Sequence, residues 1–248
     1  MQLKKALQTS VYTSLFMQLV TGILAVYAYF LPVAGELAII KKLLELEIFV
    51  QVVEGAFYIW FASTFSYINN VTPNRYYDWA ITTPTMLFTF CLYLAYLGER
   101  DNPNQEPLLP STIPENQYEP MEKSVNNTTL IDYLTENIWV FIPIFILNWL
   151  MLFFGYLGEI GKLGTRTSVG LGFIPFILYF FIIYNKFAKY SSFYGKLLYW
   201  VFFTVWSLYG VAALFSYYWK NIFYNILDLF AKNFFGLLLV YTTYRNAI

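Results

Sequence analysis

Histidine is absent from this chain of 248 residues, and cysteine occurs once, at Cys91. A lone thiol cannot form an internal disulfide. Without histidine or paired cysteines, the usual ligands of zinc, haem and iron–sulfur centres are missing. Charge is also scarce, at 12% of residues, roughly half of what a soluble domain carries. The 15 basic residues balance the 15 acidic ones, so there is no basic excess to bind nucleic acid. Disorder is excluded as well, because it requires low hydrophobicity and high net charge. Apolar side chains are plentiful: 58% of residues are hydrophobic and 22% aromatic. The composition predicts an integral membrane protein.

A membrane-crossing helix takes about 20 mainly apolar residues. Seven stretches qualify, over residues 7–30, 37–66, 74–97, 134–157, 168–188, 192–216 and 221–244. Lipid offers the backbone no hydrogen-bond partner, so each is read as a helix. The expected fold is an all-α membrane protein forming one seven-helix unit over residues 1–248. The polar stretch over 99–129 holds five prolines and several acids and is read as a long, mobile connection with no core of its own. Seven crossings put the termini on opposite sides. Lys41, Lys42, Arg100, Lys123, Lys186, Lys189, Lys196 and Arg245 would share the C-terminal side, against Lys4, Lys5, Lys162, Arg166 and Lys220 on the other. Basic residues collect inside, so the N-terminus is expected outside. Of the Asn-X-Thr sites, at Asn70, Asn126 and Asn127, only Asn70 would then face outward. It lies too near the membrane to be expected to carry a glycan.

An ionisable group within a span is costly and therefore marks function. Lys232 is deep in the seventh span, with Asp228 four residues earlier on the same helical face. A structural ion pair would account for both. So would a lysine held for covalent chemistry with a carbonyl ligand, as a Schiff base that needs a carboxylate counterion. The third span carries a second carboxylate in the run Arg75-Tyr76-Tyr77-Asp78-Trp79-Ala80-Ile81-Thr82-Thr83-Pro84. This R-Y-x-D-W-x-x-T-T-P pattern, with D-x-x-x-K on the seventh span, resembles the microbial rhodopsins. Trp206-x-x-Tyr209-Gly210 on the sixth span, and Asn148-x-x-Met151 with Gly155 on the fourth, resemble the family's patterns. Two residues depart from it: Gly210 replaces a proline and Asn148 an aspartate.

The resemblance implies a seven-helix microbial rhodopsin bundle with all-trans retinal on Lys232. It implies Asp78 and Asp228 as the counterion pair, and a retinal pocket of Tyr76, Trp79, Thr82, Thr83, Met151, Gly155, Trp206 and Tyr209. It implies no enzymatic turnover. Self-association is open to such a protein, since many of the family are dimers, trimers or pentamers.

The use made of light depends on other residues. Proton pumps resembling this chain place a donor acid eleven residues after the Asp78 position, where Thr89 stands, and the turn over 217–222 has no carboxylate for release. Acids appear instead on the second span. Glu36, Glu47 and Glu54 are spaced 11 and 7 apart, which turns about +20° and −20° around a helix and places them on one line about 27 Å long. Gln51 continues the line. Polar stripes also run along the first span (Ser10, Ser14, Gln18, Thr21) and the seventh (Asn221, Asn225, Asp228, Lys232). Such stripes serve either as interhelical hydrogen-bond glue or as the lining of a wet, cation-selective path. Ser14, Glu47, Glu54, Asp78 and Asn225 together resemble the channelrhodopsins of giant algal viruses. That resemblance implies a light-gated channel in a host-cell membrane, conducting monovalent cations such as Na+ and K+ and inhibited by calcium. Its expected ion pathway is Ser14, Gln18, Glu47, Gln51, Glu54, Arg75 and Asn225. A weak outward proton pump and a photosensory rhodopsin are the alternatives.

Overall fold

The structure is a computed structural model that describes residues 2–33, 38–101 and 130–247. Its helices are α1 (Gln2–Tyr29), α2 (Ala38–Thr64), α3 (Thr72–Asp101), α4 (Leu130–Glu136), α5 (Ile138–Glu159), α6 (Thr165–Lys186), α7 (Phe193–Ala212), α8 (Tyr217–Asp228) and α9 (Phe234–Arg245). A wider π turn, Leu229–Asn233, joins α8 to α9, so the two form one continuous rod. Among the described residues there are thus seven long rods, as the apolar runs predict. Their ends differ from the expected ones: α3 continues to Asp101, and a separate short helix, α4, precedes α5. Most of the polar 99–129 stretch, with Lys123, Asn126 and Asn127, lies outside the described residues, as does Glu36.

By length and composition alone, five rods can cross a membrane: α1, α3, α5, α6 with its 3-10 extension, and α8–α9. The other two carry polar residues that dilute them, among them Glu47, Gln51 and Glu54 on α2 and Lys196 on α7. The outside of the bundle is apolar, with Phe16, Ile23, Phe181 and Trp139 all more than 60% exposed. An exterior of this kind suits contact with lipid.

Neighbouring rods pack in a ring, α1 on α2, α2 on α3, α3 on α5, α5 on α6, α6 on α7, α7 on α8, and α8–α9 back on α1. Helix α3 also touches α7 and is the most deeply buried rod. The buried residues of α1 are Leu7, Val11, Ser14, Gln18, Thr21, Ala25 and Ala28, a 4-3-4-3-4-3 spacing that keeps one face inward. That face is apolar at its ends and polar in its middle. Val33 pairs with Ala247 in an isolated bridge, so the chain's C-terminus lies at the end of the bundle where α1 finishes.

Helix α3 solves a local problem at Pro84. Proline has no N–H, so the carbonyl four residues back loses its helical partner. That carbonyl belongs to Ala80, and the indole N–H of Trp149 on α5 donates to it at 2.9 Å. At the start of α3, the side chain of Asn70 accepts from the Thr72 N–H at 3.1 Å, which gives Asn70 a structural role.

Further along, Gly98 passes close to the segment joining α6 to α7. A Cβ at this position would sit 2.9 Å from the carbonyl oxygen of Tyr190 and 3.3 Å from Cα of Ser191. Backbone atoms cannot swing aside as a side chain can. Gly98→Ala is therefore expected to destabilise the bundle by about 1–3 kcal/mol, the usual cost of overpacking. Thermal unfolding in detergent, compared with Gly22→Ala (nearest neighbour at 4.0 Å), checks this.

Candidate functional site

Lys232 lies in the π turn and is 2% exposed. Such turns interrupt helices at functional positions more often than elsewhere. Its ammonium nitrogen donates to Asp78 Oδ2 at 3.1 Å. Glu54 Oε1 is 3.2 Å away, at ion-pair distance, although neither Glu54 oxygen accepts a hydrogen bond. Asp228 Oδ1 is farther, at 4.0 Å. Helices α2 and α3 and the α8–α9 rod each bring one carboxylate to this single cation. The expected Asp78–Asp228 pair is thus joined by a third carboxylate, Glu54.

Asp228 is held by other partners. Tyr209 donates to its Oδ1 at 2.7 Å, and Tyr58 donates to Oδ2 at 2.6 Å. Arg75 is 3.4 Å from Oδ2. Fully buried, Arg75 also donates from Nε to Asn221 at 3.0 Å and from a terminal nitrogen to the Asn225 side chain. Its guanidinium lies 5.5–5.9 Å from the ring centres of Phe57, Tyr58, Phe61 and Tyr224, a cage in which the ring faces supply further attraction. Two basic and three acidic side chains therefore share one buried region, and Lys232, Arg75, Asp78 and Asp228 are each paired and hydrogen-bonded, as a buried charge requires.

From this cluster a polar file extends both ways. On the α8 side, Asn225 donates to Ser10 at 2.8 Å, Ser14 donates to the Asn225 carbonyl at 3.2 Å, and Asn221 donates to Thr72 at 3.0 Å. On the α9 side, Gln18 donates to the Gln51 side chain and also to its carbonyl, and Gln51 donates to Glu47 Oε1 at 3.0 Å. A Cβ at Gly236 would meet Gln51, Glu47 and Thr21 at 3.2 Å each, so α9 approaches this network as closely as only glycine permits. Several acceptors here have no hydrogen-bond partner among the described residues: Gln18 Oε1, Glu47 Oε2, Thr21 Oγ1 and Asn233 Oδ1. Beyond the file the interior turns apolar, at Ile40, Leu43, Leu44 and Leu239 on one side and Leu7, Val11, Phe61 and Val71 on the other.

Lys232 also lines a cavity that opens to the outside of the bundle. Tyr76, Trp79, Thr83, Met151, Gly155, Trp206 and Tyr209 line it, as the resemblance implies. Thr82 does not: its hydroxyl donates to the Asp78 carbonyl at 3.0 Å, and it supports the backbone that carries Asp78. A Cβ at Gly155 would lie 2.6 Å from the Tyr76 hydroxyl, so glycine is what lets that ring sit against α5. Thr83 accepts from Asn148 at 2.7 Å, joining α3 to α5 at one of the two positions that depart from the family pattern.

All seven expected pathway residues are buried, in two bonded groups: Ser14, Asn225, Arg75 and Glu54 join the Lys232 cluster through hydrogen bonds and ion pairs, and Gln18, Gln51 and Glu47 are bonded to one another. Sequence reasoning missed Tyr58, although it follows Glu47, Gln51 and Glu54 at helical spacing and the signal was available. It also missed Met86, Phe173 and Glu159 in the cavity wall; a lone apolar residue, or an acid at a helix end, carries no signal in one sequence.

The profile of the bacteriorhodopsin-like protein family matches residues 7–246. Among solved structures, viral rhodopsin OLPVRII superposes with a TM-score of 0.75 at 27% identity, over 96% of this chain and 98% of that one. Xanthorhodopsin, a light-driven ion pump with dual chromophore, gives 0.70 at 17% identity over 99% and 95%. A blue light-absorbing proteorhodopsin from Med12 gives 0.67 at 19% over 96% and 97%. No curated protein sequence matches. Because the profile runs through every rod that supplies a side chain to the buried lysine, the chain belongs to the bacteriorhodopsin-like family of multi-pass, retinal-binding membrane proteins.

Proposed function

We propose that this protein is a light-gated channel for monovalent cations, with retinal joined to it at the nitrogen of Lys232. The cavity suits that group. It starts at a buried amine and is walled by Met86, Met151, Leu152, Phe173 and Phe176, with the unpartnered indole N–H of Trp206 in its lining. Retinal would supply light absorption and a change of shape. The chain's own residues do the rest.

Asp78, at 3.1 Å, is placed to accept a proton from the Lys232 nitrogen. Asp228 is already held by Tyr58, Tyr209 and Arg75 and acts as a fixed anion. Glu54 is tied to Lys232 by charge alone. When the nitrogen gives up its proton, the attraction holding Glu54 falls and its side chain is released into the file.

The observation that carries the channel reading is the file itself. Buried acceptors are stable when hydrogen-bonded, so the unpartnered oxygens of Glu47, Gln18, Thr21 and Asn233 favour water between α1, α2 and α9. Carboxylates along such a path select for cations, and the apolar collars at both ends make it a closed, dark state. A pump would want a reloading acid on α3, but the buried Thr89 hydroxyl donates to the Thr85 carbonyl at 2.9 Å and has no acidic proton to give. The orientation we propose has the N-terminus outside, from the excess of Lys and Arg at the α1–α2 and α9 end.

Lys232→Ala should yield a protein that stays colourless when all-trans retinal is added; retained visible absorbance would put the linkage elsewhere. Patch-clamp recording of illuminated cells should give a current whose reversal potential follows the sodium and potassium gradients. Acidification with no imposed gradient would point to a pump instead. Glu54→Gln and Glu47→Gln should each form pigment and lower the conductance severalfold or shift the reversal potential. Unchanged currents in both would remove α2 from the pathway.

A further inference from the structure

Among the described residues lining the chromophore cavity, one carboxylate occurs: Glu159, the last residue of α5. The ammonium of Lys220 lies 2.8 Å from both of its oxygens. The two side chains are 7% and 13% exposed, so the pair is largely withdrawn from solvent.

Neither charge serves its own helix. A helix carries partial negative charge at its C-terminal end and partial positive charge at its N-terminal end. Glu159 ends α5, and Lys220 lies in the first turn of α8. Each opposes its local dipole, and each is compensated by the other. The pair is also remote from the Lys232 cluster: Lys220 precedes Lys232 by twelve residues, about 18 Å along the rod at 1.5 Å per residue. Glu159 and Lys232 therefore stand at well-separated points on the wall of one cavity.

We propose that Lys220 neutralises Glu159 at the end of the cavity remote from Lys232, so that the absorption colour of the pigment depends on this pair staying balanced. This rests on the reading that retinal is joined at Lys232. In a conjugated cation tethered there, positive charge sits near the nitrogen in the dark and moves along the chain on excitation. A carboxylate at the far end stabilises the excited arrangement more than the dark one and lowers the transition energy. Lys220, in contact with that carboxylate, cancels most of its field, since Coulomb energy falls with distance and the opposite charges nearly coincide.

The test is the visible spectrum of purified protein with all-trans retinal, for wild type, Lys220→Gln, Glu159→Gln and the double variant. Lys220→Gln should shift the maximum to longer wavelength by several nanometres, and Glu159→Gln to shorter wavelength. The double variant should lie closer to wild type than either single one. Lys220→Arg keeps the charge and should leave the maximum in place. Thermal unfolding of the retinal-free proteins reports separately on a merely structural pair, which would lower stability in both single variants without moving their spectra in opposite directions. Four coincident maxima in coloured proteins, or an arginine variant shifted as far as the glutamine one, overturn the proposal alone. A wild type that stays colourless overturns the pigment reading together with it.

Discussion

One ammonium group, that of Lys232, placed where water does not reach, imposes conditions on most of the bundle. The effective penalty for burying an ion is several kcal/mol even after the surroundings relax. Three rods answer it with a carboxylate each, and those carboxylates create a demand of their own. Asp228 is answered by two phenols and a guanidinium, and the guanidinium by two asparagines and four aromatic rings. Ser14 in the polar middle of α1's inward face reaches this chain at Asn225, and Gln18 pairs instead with Gln51 on α2. A helix packed only against apolar neighbours would have no use for Ser14, Gln18 and Thr21 in one buried stripe.

The same lysine stands at the meeting of two compartments. On one side is a largely apolar cavity between α3, α5, α6 and α7, and on the other a polar file between α1, α2 and α8–α9. Glu54 is 3.2 Å from the Lys232 nitrogen, which also lines the cavity, so the two compartments meet at this one side chain. Helix α2 shows how selective the inward face is: Glu47 and Glu54 are fully buried, while Glu45, two residues from Glu47, faces outward.

Much of this was legible in the amino-acid sequence. The R-Y-x-D-W pattern with D-x-x-x-K singles out Arg75, Asp78, Asp228 and Lys232, and helical spacing alone groups Glu47, Gln51 and Glu54. What stayed hidden has physical reasons. Thr82 lies inside the motif, yet its hydroxyl turns back to its own helix, a choice that spacing cannot reveal. Tyr58 continues the Glu47, Gln51 and Glu54 spacing, which places it inward, but its partner Asp228 is on another rod that spacing along α2 cannot name. Glu159 and Lys220 are 61 residues apart, and only the ring order of the helices brings them together. The ends of α3 and the short α4 were missed because polar residues extend a helix beyond its apolar run without changing the hydrophobic pattern.

The proline in α3 leaves a mark on how that rod can deform. At Ala80 the intrahelical ladder lacks a rung, and a tryptophan from the neighbouring rod stands in for it. Between the segment bearing Arg75, Asp78 and Trp79 and the segment bearing Thr89 and Cys91, one backbone rung is thus missing from an otherwise continuous helix, and the freed carbonyl is tied to α5 instead. Such a joint bends more easily than an unbroken helix, and its stiffness is set from outside, by α5. The central rod thus has its weakened point close to Asp78, and a residue of a neighbouring rod supports it there.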